Sequence, residues 1–410
     1  MGGLTAMAKA DCQDHHGSHR HLLWTPGEPS SHRARVDAVI VPTIRHPAYL
    51  QDAADLAVSL GCPLVTLHSG KWTSARDAAQ RLPAAVDLIA IDVSDPARLH
   101  LPVLETSRLL ASARLARKTD TSAKRNLGLV LSHLVGWERI VFLDDDIKVR
   151  EPGDLRQAAG LLDTYSAVGL SIVGFPDNSV VCHAYRAVGG TQQSFIGGGA
   201  LVVGLARSRS FFPDIYNEDW FYLLDAEKGL QAIGTSGEAA QRPYDPFHDP
   251  ERARREELGD VLAEGTFWLL DQGRTVADAD WGHWAEFLER RRKFIAYVLD
   301  LVVDSGIETA EKGRMAAALK ASRGRLALIT PGLCRDYLRA WTADWQQWQR
   351  HFDRLPGPVP IDSALRLLTR PDAPPVTWHA RGRRAAGEVP PAGPVTELAM
   401  ASASPVVVGR

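Results

Sequence analysis

The chain has 410 residues, 45% of them hydrophobic and 23% charged, with a formal net charge of −2. That balance suits a globular protein with a large core in one elaborated domain or two, and it leaves no basic footprint for nucleic acid. The basic clusters at 252–255 and 290–293 sit among acids and read as solvated helix faces. No segment has the uninterrupted apolar length of a membrane span, the N-terminus lacks the apolar core of a signal peptide, and the expected compartment is the cytoplasm. The four cysteines, Cys12, Cys62, Cys182 and Cys334, are far apart in sequence and form no metal-type pair, as expected of reduced thiols.

Residues 1–35 are rich in His, Ser, Pro and Gly without apolar periodicity and read as a disordered leader. Its histidines, His15, His16, His19 and His21, offer transition-metal chemistry only where a scaffold orders them. From residue 36 strand and helix patterns alternate. Strands are predicted over 36–41, ending at Pro42 and Thr43, over 63–67, ending at His68, Ser69 and Gly70, and over 87–91, ending at Asp92. A helix over 48–60 joins the first two. Parallel strands with crossover helices predict a doubly wound α/β sheet whose ligand crevice lies at the C-terminal strand ends. Thr43, Arg45, Ser69, Gly70 and Asp92 fall on that edge.

A helix over 123–135 follows, with Leu127, Val130, Leu131 and Leu134 at helical spacing and Lys124 and Arg125 in its first turn. The apolar strand 139–143 then stops on Asp144, Asp145 and Asp146. Alternate acids, Asp144 and Asp146, can face one divalent cation, and hard oxygen ligands suit Mg²⁺ or Mn²⁺, which complete their shells with water and phosphate oxygens. The same triplet also describes a solvated turn with an Asp cap for the next helix. Read with the acids, Lys124 and Arg125 supply phosphate donors opposite the metal.

Strands are predicted next over 167–173 and 194–203. Gly197, Gly198 and Gly199 inside the second permit close approach of another chain or a ligand, or form a bulge. Asn217, Glu218, Asp219 and Trp220 lie downstream. Helices dominate from 252, including 264–270, 284–303, 312–322 and 333–352, and Trp341, Trp345 and Trp348 recur as a buried helix stripe. Beyond 368 the composition turns to Pro, Ala, Gly and Arg. The expected organisation is a leader at 1–35, a sheet domain at 36–280, a helical extension at 281–368 and a disordered tail at 369–410.

The order of these features resembles nucleotide-sugar glycosyltransferases of the GT-A fold. The resemblance covers 36–265 and rests on Val39-Ile40-Val41-Pro42-Thr43, Lys124-Arg125-Asn126-Leu127-Gly128, Asp144-Asp145-Asp146, the 197–200 loop and Asn217-Glu218-Asp219-Trp220. The segment 255–265, REELGDVLAEG, resembles an actinobacterial-type, family 2-like group of such proteins. The resemblance implies a GT-A-like doubly wound mixed sheet flanked by helices, with a helical C-terminal extension. It implies that Pro42, Thr43, Arg45, Ser69 and Gly70 surround base and ribose, that Asp92 meets the nucleoside, and that Lys124 or Arg125 meets phosphate or ribose. Asp144 and Asp146 become the metal pair, with Asp145 reaching ribose or sugar. Gly197, Gly198, Gly199 and Trp220 fall on the acceptor side, and Glu218 or Asp219 becomes the base, unless Asn217 makes that pair a plain helix start. His248 is the first choice for a third metal ligand and His283 the second.

The implied activity is metal-dependent transfer of a sugar from a nucleoside-diphosphate sugar to a small soluble acceptor, with Mn²⁺ or Mg²⁺. The C-terminal helices are left to cover the acceptor or form a homodimer contact. A sugar-1-phosphate nucleotidyltransferase is the enzymatic alternative, although Pro42-Thr43-Ile44-Arg45-His46-Pro47 lacks the glycines that family carries after its first strand. A non-catalytic sugar-nucleotide-binding protein is the other.

Overall fold

The computed structural model describes residues 12–23, 32–93, 95–176 and 178–382. Residues 1–11 and 24–31 of the expected leader, and 383–410 of the expected tail, lie outside the described residues.

The first half alternates as its apolar pattern requires: β1 (Ala38–Thr43), α1 (Gln51–Leu60), β2 (Leu64–His68), α2 (Ala75–Arg81), β3 (Leu88–Asp92), α3 (Glu105–Ser112), α4 (Thr121–Val135) and β4 (Arg139–Leu143). Then come β5 (Ile147–Lys148), α5 (Pro152–Leu161), β6 (Ala167–Gly174), α6 (Val180–Ala187), β7 (Ala200–Gly204) and α7 (Glu218–Tyr222). A hairpin of β8 (Leu224–Asp225) and β9 (Gly229–Leu230) leads to β10 (Ile233–Gln241). The helices α8 (Pro250–Asp271), α9 (Trp281–Asp304), α10 (Thr309–Leu326), α11 (Pro331–Arg354) and α12 (Ile361–Leu367) precede a last strand, β11 (Trp378–Arg381).

Nine strands make one mixed sheet in the order β11-β3-β2-β1-β4-β7-β6-β10-β5. β1 runs parallel to β2 and β4, and β2 to β3, whereas β7 lies antiparallel between β4 and β6. Side chains of β1 alternate between two cores, Ala38 and Ile40 on one face and Val39 and Val41 on the other, which is why the strand reads as unbroken apolar sequence. The first face is covered by α4 and the C-terminal helices, the second by α1, α2 and α5. The expected mixed α/β sheet with a helical C-terminal part is therefore present. Gly136, at φ +79°, ends α4 in the left-handed conformation and turns the chain into β4. Trp341 and Trp348 are buried and Trp345 partly so, as the stripe predicts.

Three regions depart from expectation. Residues 12–23 pack on the body instead of standing off it: His15, His19 and Leu23 are buried, and His16 and His19 bond Asp271 at the end of α8. Residues 378–381, expected in the tail, form β11, which pairs antiparallel with β3 and covers the sheet edge. The predicted strand 194–203 begins only at Ala200, with the three glycines in the loop before it. Among the described residues no helix is long and apolar enough to cross a membrane.

Candidate functional site

The parallel strands β1 to β4 end on one edge, and the register of β7 completes it. Leu143 pairs with Ala200, and the next amide, Asp144 N–H, donates to Gly199 O at 3.0 Å. The glycine loop therefore lies against the acids. Glycine permits this approach: a β-carbon on Gly199 would stand 3.3 Å from Asp144 Oδ2, and one on Gly198, 2.5 Å from Arg125 Nη1, would force the guanidinium to shift.

Each acid has a cationic partner. Arg125 donates from Nη2 to Asp144 Oδ1 at 2.8 Å and from Nη1 to Glu218 Oε1 at 2.9 Å, with its side chain 3% exposed. Burial opposes the charge of Arg125, but Asp144, Glu218 and Asp219 outweigh it and hold its pKa above the ordinary value. Arg117 is the second partner of Glu218, at 3.4 Å from Oε2. Arg45 bonds Asp145 and, at 3.0 Å, Asp146 Oδ2, while Thr43 Oγ1 donates to Asp145 Oδ2 at 2.6 Å. Burial raises the pKa of both Asp145 and Asp146, and Arg45 works against it.

Lys124 and Arg125, expected to reach phosphate or ribose, turn inward. Lys124 Nζ donates to Thr43 O at 2.9 Å and Ser69 Oγ at 2.6 Å and pairs with Asp120, so it fastens the ends of β1 and β2 together. Burial lowers its pKa. Pro42 is buried within β1, and Gly70 follows Ser69 at φ +78°. Asp92 Oδ1 accepts from Ala75 N–H at 2.7 Å at the start of α2, and burial raises its pKa. Two exposed cations at the rim, Arg45 and Arg242, pack on Tyr49, 5.6 and 5.3 Å from its ring centre, and Arg242 also bonds Asp52 at 2.8 Å.

Asp219 holds the glycine loop, its Oδ2 accepting from Gly198 N–H at 2.6 Å and its Oδ1 from Trp220 N–H at 2.9 Å. Burial and then the neighbouring Glu218 push its carboxyl up to about 6. Trp220 packs on Phe195 and Phe267. Asn217 makes no side-chain cap; it sits at φ +61° and donates to Asp260 at 3.0 Å.

The donor set fits a hard divalent ion. Asp144 Oδ2 and Asp146 Oδ1 accept no hydrogen bond from another side chain among the described residues, and the side chains are 37% and 19% exposed. The third-ligand expectation finds no comparable support. His248 is exposed, and His283 is bonded through Nε2 to Gly265 O at 2.9 Å. Among the described residues, neither histidine shares a close three-ligand grouping with the acids.

Sequence reasoning missed Arg117, Arg242 and Tyr49. Arg117 stands in a basic pair with Lys118 just ahead of α4, which was a usable signal; Arg242 follows β10, a strand the sequence hides.

No protein-family model matches the chain, and a search of curated proteins finds no match. Among solved structures it is similar to the mannosyltransferase PcManGT from Pyrobaculum calidifontis, determined with GDP-Man and Mn²⁺. The two are 17% identical over 79% of this chain and 90% of that one, with a TM-score of 0.36. A superposition this loose leaves any functional reading to the residues themselves.

Proposed function

We propose that the protein is a metal-dependent glycosyltransferase that moves a sugar from a nucleoside-diphosphate sugar to a hydroxyl-bearing, small soluble acceptor. The observation that carries this reading is the Asp144–Arg125–Glu218 bridge, which couples the acids after β4 to the start of α7 beside Gly198 and Gly199. A solvated turn needs no such buried guanidinium.

In this reading Asp144 and Asp146 hold Mn²⁺ or Mg²⁺. A bound ion would offset the negative charge that grows on the departing diphosphate. Arg45 and Arg242 present guanidinium donors toward the same phosphates from the Tyr49 side. Asp145, fixed by Thr43 and Arg45, accepts a hydroxyl of ribose or sugar.

Asp219 is the better general base of the expected pair. Both oxygens of Glu218 are engaged by arginines, whereas those of Asp219 accept the main-chain N–H groups of Gly198 and Trp220, and its carboxyl, held near 6, is ionised at neutral pH yet basic enough to take a hydroxyl proton. Its bonds to Gly198 and Trp220 orient it along the loop.

The test is release of nucleoside diphosphate from a panel of UDP-, GDP-, ADP- and dTDP-sugars, with and without Mn²⁺, by wild type and Asp146→Asn. Metal-dependent release that Asp146→Asn abolishes is the expected result. No release or transfer from any donor would refute the enzymatic reading.

A further inference from the structure

His15, Cys182 and Glu264 bring an imidazole nitrogen, a thiol sulfur and carboxylate oxygens within 4.8 Å of one another, and all three residues are more than nine-tenths buried. They come from three separate parts of the fold: the N-terminal segment, α6 and α8.

The orientation of His15 is the first argument. Its ring stacks on Phe294 at 4.0 Å, and its Nε2 bonds Gln192 Oε1. The Gln192 amide is itself fixed, because its Nε2 donates to Gln193 O at 3.1 Å. A carbonyl oxygen facing Nε2 accepts the proton there, and Nδ1 faces Glu264 Oε2, 3.3 Å away. Cys182 Sγ stands 3.9 Å from Glu264 Oε1. Metal-bound histidines characteristically donate their other ring N–H in this way.

Spacing is the second argument. With Zn–N and Zn–O near 2.0–2.2 Å and Zn–S near 2.3 Å, the ligand atoms of a tetrahedral ion stand roughly 3.3–3.6 Å apart. The 3.3 Å from His15 Nδ1 to Glu264 Oε2 matches that, and Cys182 Sγ, 3.9 Å from the other oxygen Oε1, is slightly farther, with one ligand atom of each residue within 4.8 Å of the others. The neighbouring group is different: His16 Nδ1 and His19 Nδ1 each lie 2.6 Å from the same oxygen of Asp271, a hydrogen-bond distance too short for two ligands of one ion.

Charge is the third. Glu257, Asp260 and Glu264 line one buried face of α8. Arg291 bonds Glu257 through Nε and Nη2, both at 2.9 Å, and Asp260 at 2.9 Å. Glu264 is left with His15 and Cys182 as its hydrogen-bond and ion-pair partners among the described residues. Arg291 thus serves Glu257 and Asp260 directly, and Glu264 is the carboxylate of the three without a hydrogen-bonded arginine among the described residues.

We propose that His15, Cys182 and Glu264 form a buried site for a borderline-soft divalent cation of the zinc class, separate from the acids after β4. Nitrogen, sulfur and carboxylate oxygen suit that class, and the thiol gives up its proton as the metal binds. The ion ties residues 12–23 to α8. It also steadies the loop that runs into the glycines, because Gln193 N–H donates to Gly17 O at 2.7 Å.

The test is a Co²⁺ titration of the full chain after chelator treatment, read by absorption, with elemental analysis of the protein as purified. Wild type should bind one tightly held Co²⁺ with strong tetrahedral d–d bands and a near-ultraviolet thiolate-to-cobalt band. Cys182→Ser should lose the thiolate band, whereas Cys12→Ser and Asp271→Asn should keep it. Hard-ligand binding at Asp144 and Asp146 gives no such band. Wild type without the thiolate band overturns the proposal whatever the variants do, and so does a band that disappears in Cys12→Ser instead of Cys182→Ser.

Discussion

Arg125 and Gly198 are in direct contact: a β-carbon on Gly198 would fall 2.5 Å from Nη1, the nitrogen that donates to Glu218. Gly198→Ala should therefore displace the bridging guanidinium from Glu218 and shift the amide that Asp219 accepts. Donor turnover is expected to fall about 100-fold, the usual effect of ångström-scale misplacement. Gly204→Ala, where the added carbon meets only Leu162 at 3.4 Å or more, should leave turnover near wild type. Steady-state kinetics on both variants checks this.

Nucleotide binding should depend jointly on metal and on the acids. A ligand at 100 times its dissociation constant stabilises the native state by about 2.7 kcal/mol. One of UDP, GDP, ADP, CMP or dTDP with Mn²⁺ should raise the melting temperature of wild type, and Asp144→Asn or Asp146→Asn should remove that shift. A shift that survives both substitutions would return the triplet to a solvated turn.

With Asp219 as the proposed base, its carboxyl, raised to about 6 by burial and then by Glu218, would set the acid limb of the transfer rate. The base must be ionised, so the transfer rate should fall roughly tenfold per pH unit below about 6 and level off above it. A pH–rate profile with the limb near 4 would exclude Asp219 as the base.

Burial pushes the Asp214 carboxyl up to about 6 as well. For a carboxyl raised in the folded state, the stabilisation is complete below its unfolded value of about 4 and is lost as pH rises through 6. Asp214→Asn should consequently gain stability over wild type at pH 8, by at most about 3 kcal/mol, with the gain vanishing at pH 4. Urea unfolding at the two pH values measures it.

Arg291 is the guanidinium bound to Glu257 and Asp260 inside the helical layer. Arg291→Met should cost about 3–5 kcal/mol, because it strands buried carboxylates. Denaturant titration should show a lowered midpoint, restored in part when Glu257→Gln and Asp260→Asn are added.

The sequence disclosed the sheet wherever a strand is buried on both faces. β1, β2, β3 and β4 are continuous apolar runs, and the acids follow β4 on the edge where these strands end. β10 was invisible because Ile233–Gln241 is mostly Gly, Ser, Ala and polar residues; it is a strand through its pairing with β6, which no local pattern reports. β11 and residues 12–23 were hidden for the same reason, since each owes its order to a surface supplied by distant sequence. Within the site, residue types were readable and partnerships were not. Lys124 and Arg125 lie beside the acids, and only packing reveals that they point into the protein, toward Ser69 and Glu218.

The antiparallel strand at the centre of the sheet separates what can vary from what cannot. Asp144 and Gly199 are joined by main-chain hydrogen bonding, so the acids and the glycine loop move as one frame. The turn at 188–190, between α6 and the segment leading into β7, lies outside that frame, and doubling a loop's length costs only about 0.6 kcal/mol in closure entropy. Under the proposed function, an insertion there would alter acceptor preference while leaving the joined acids and glycines in place.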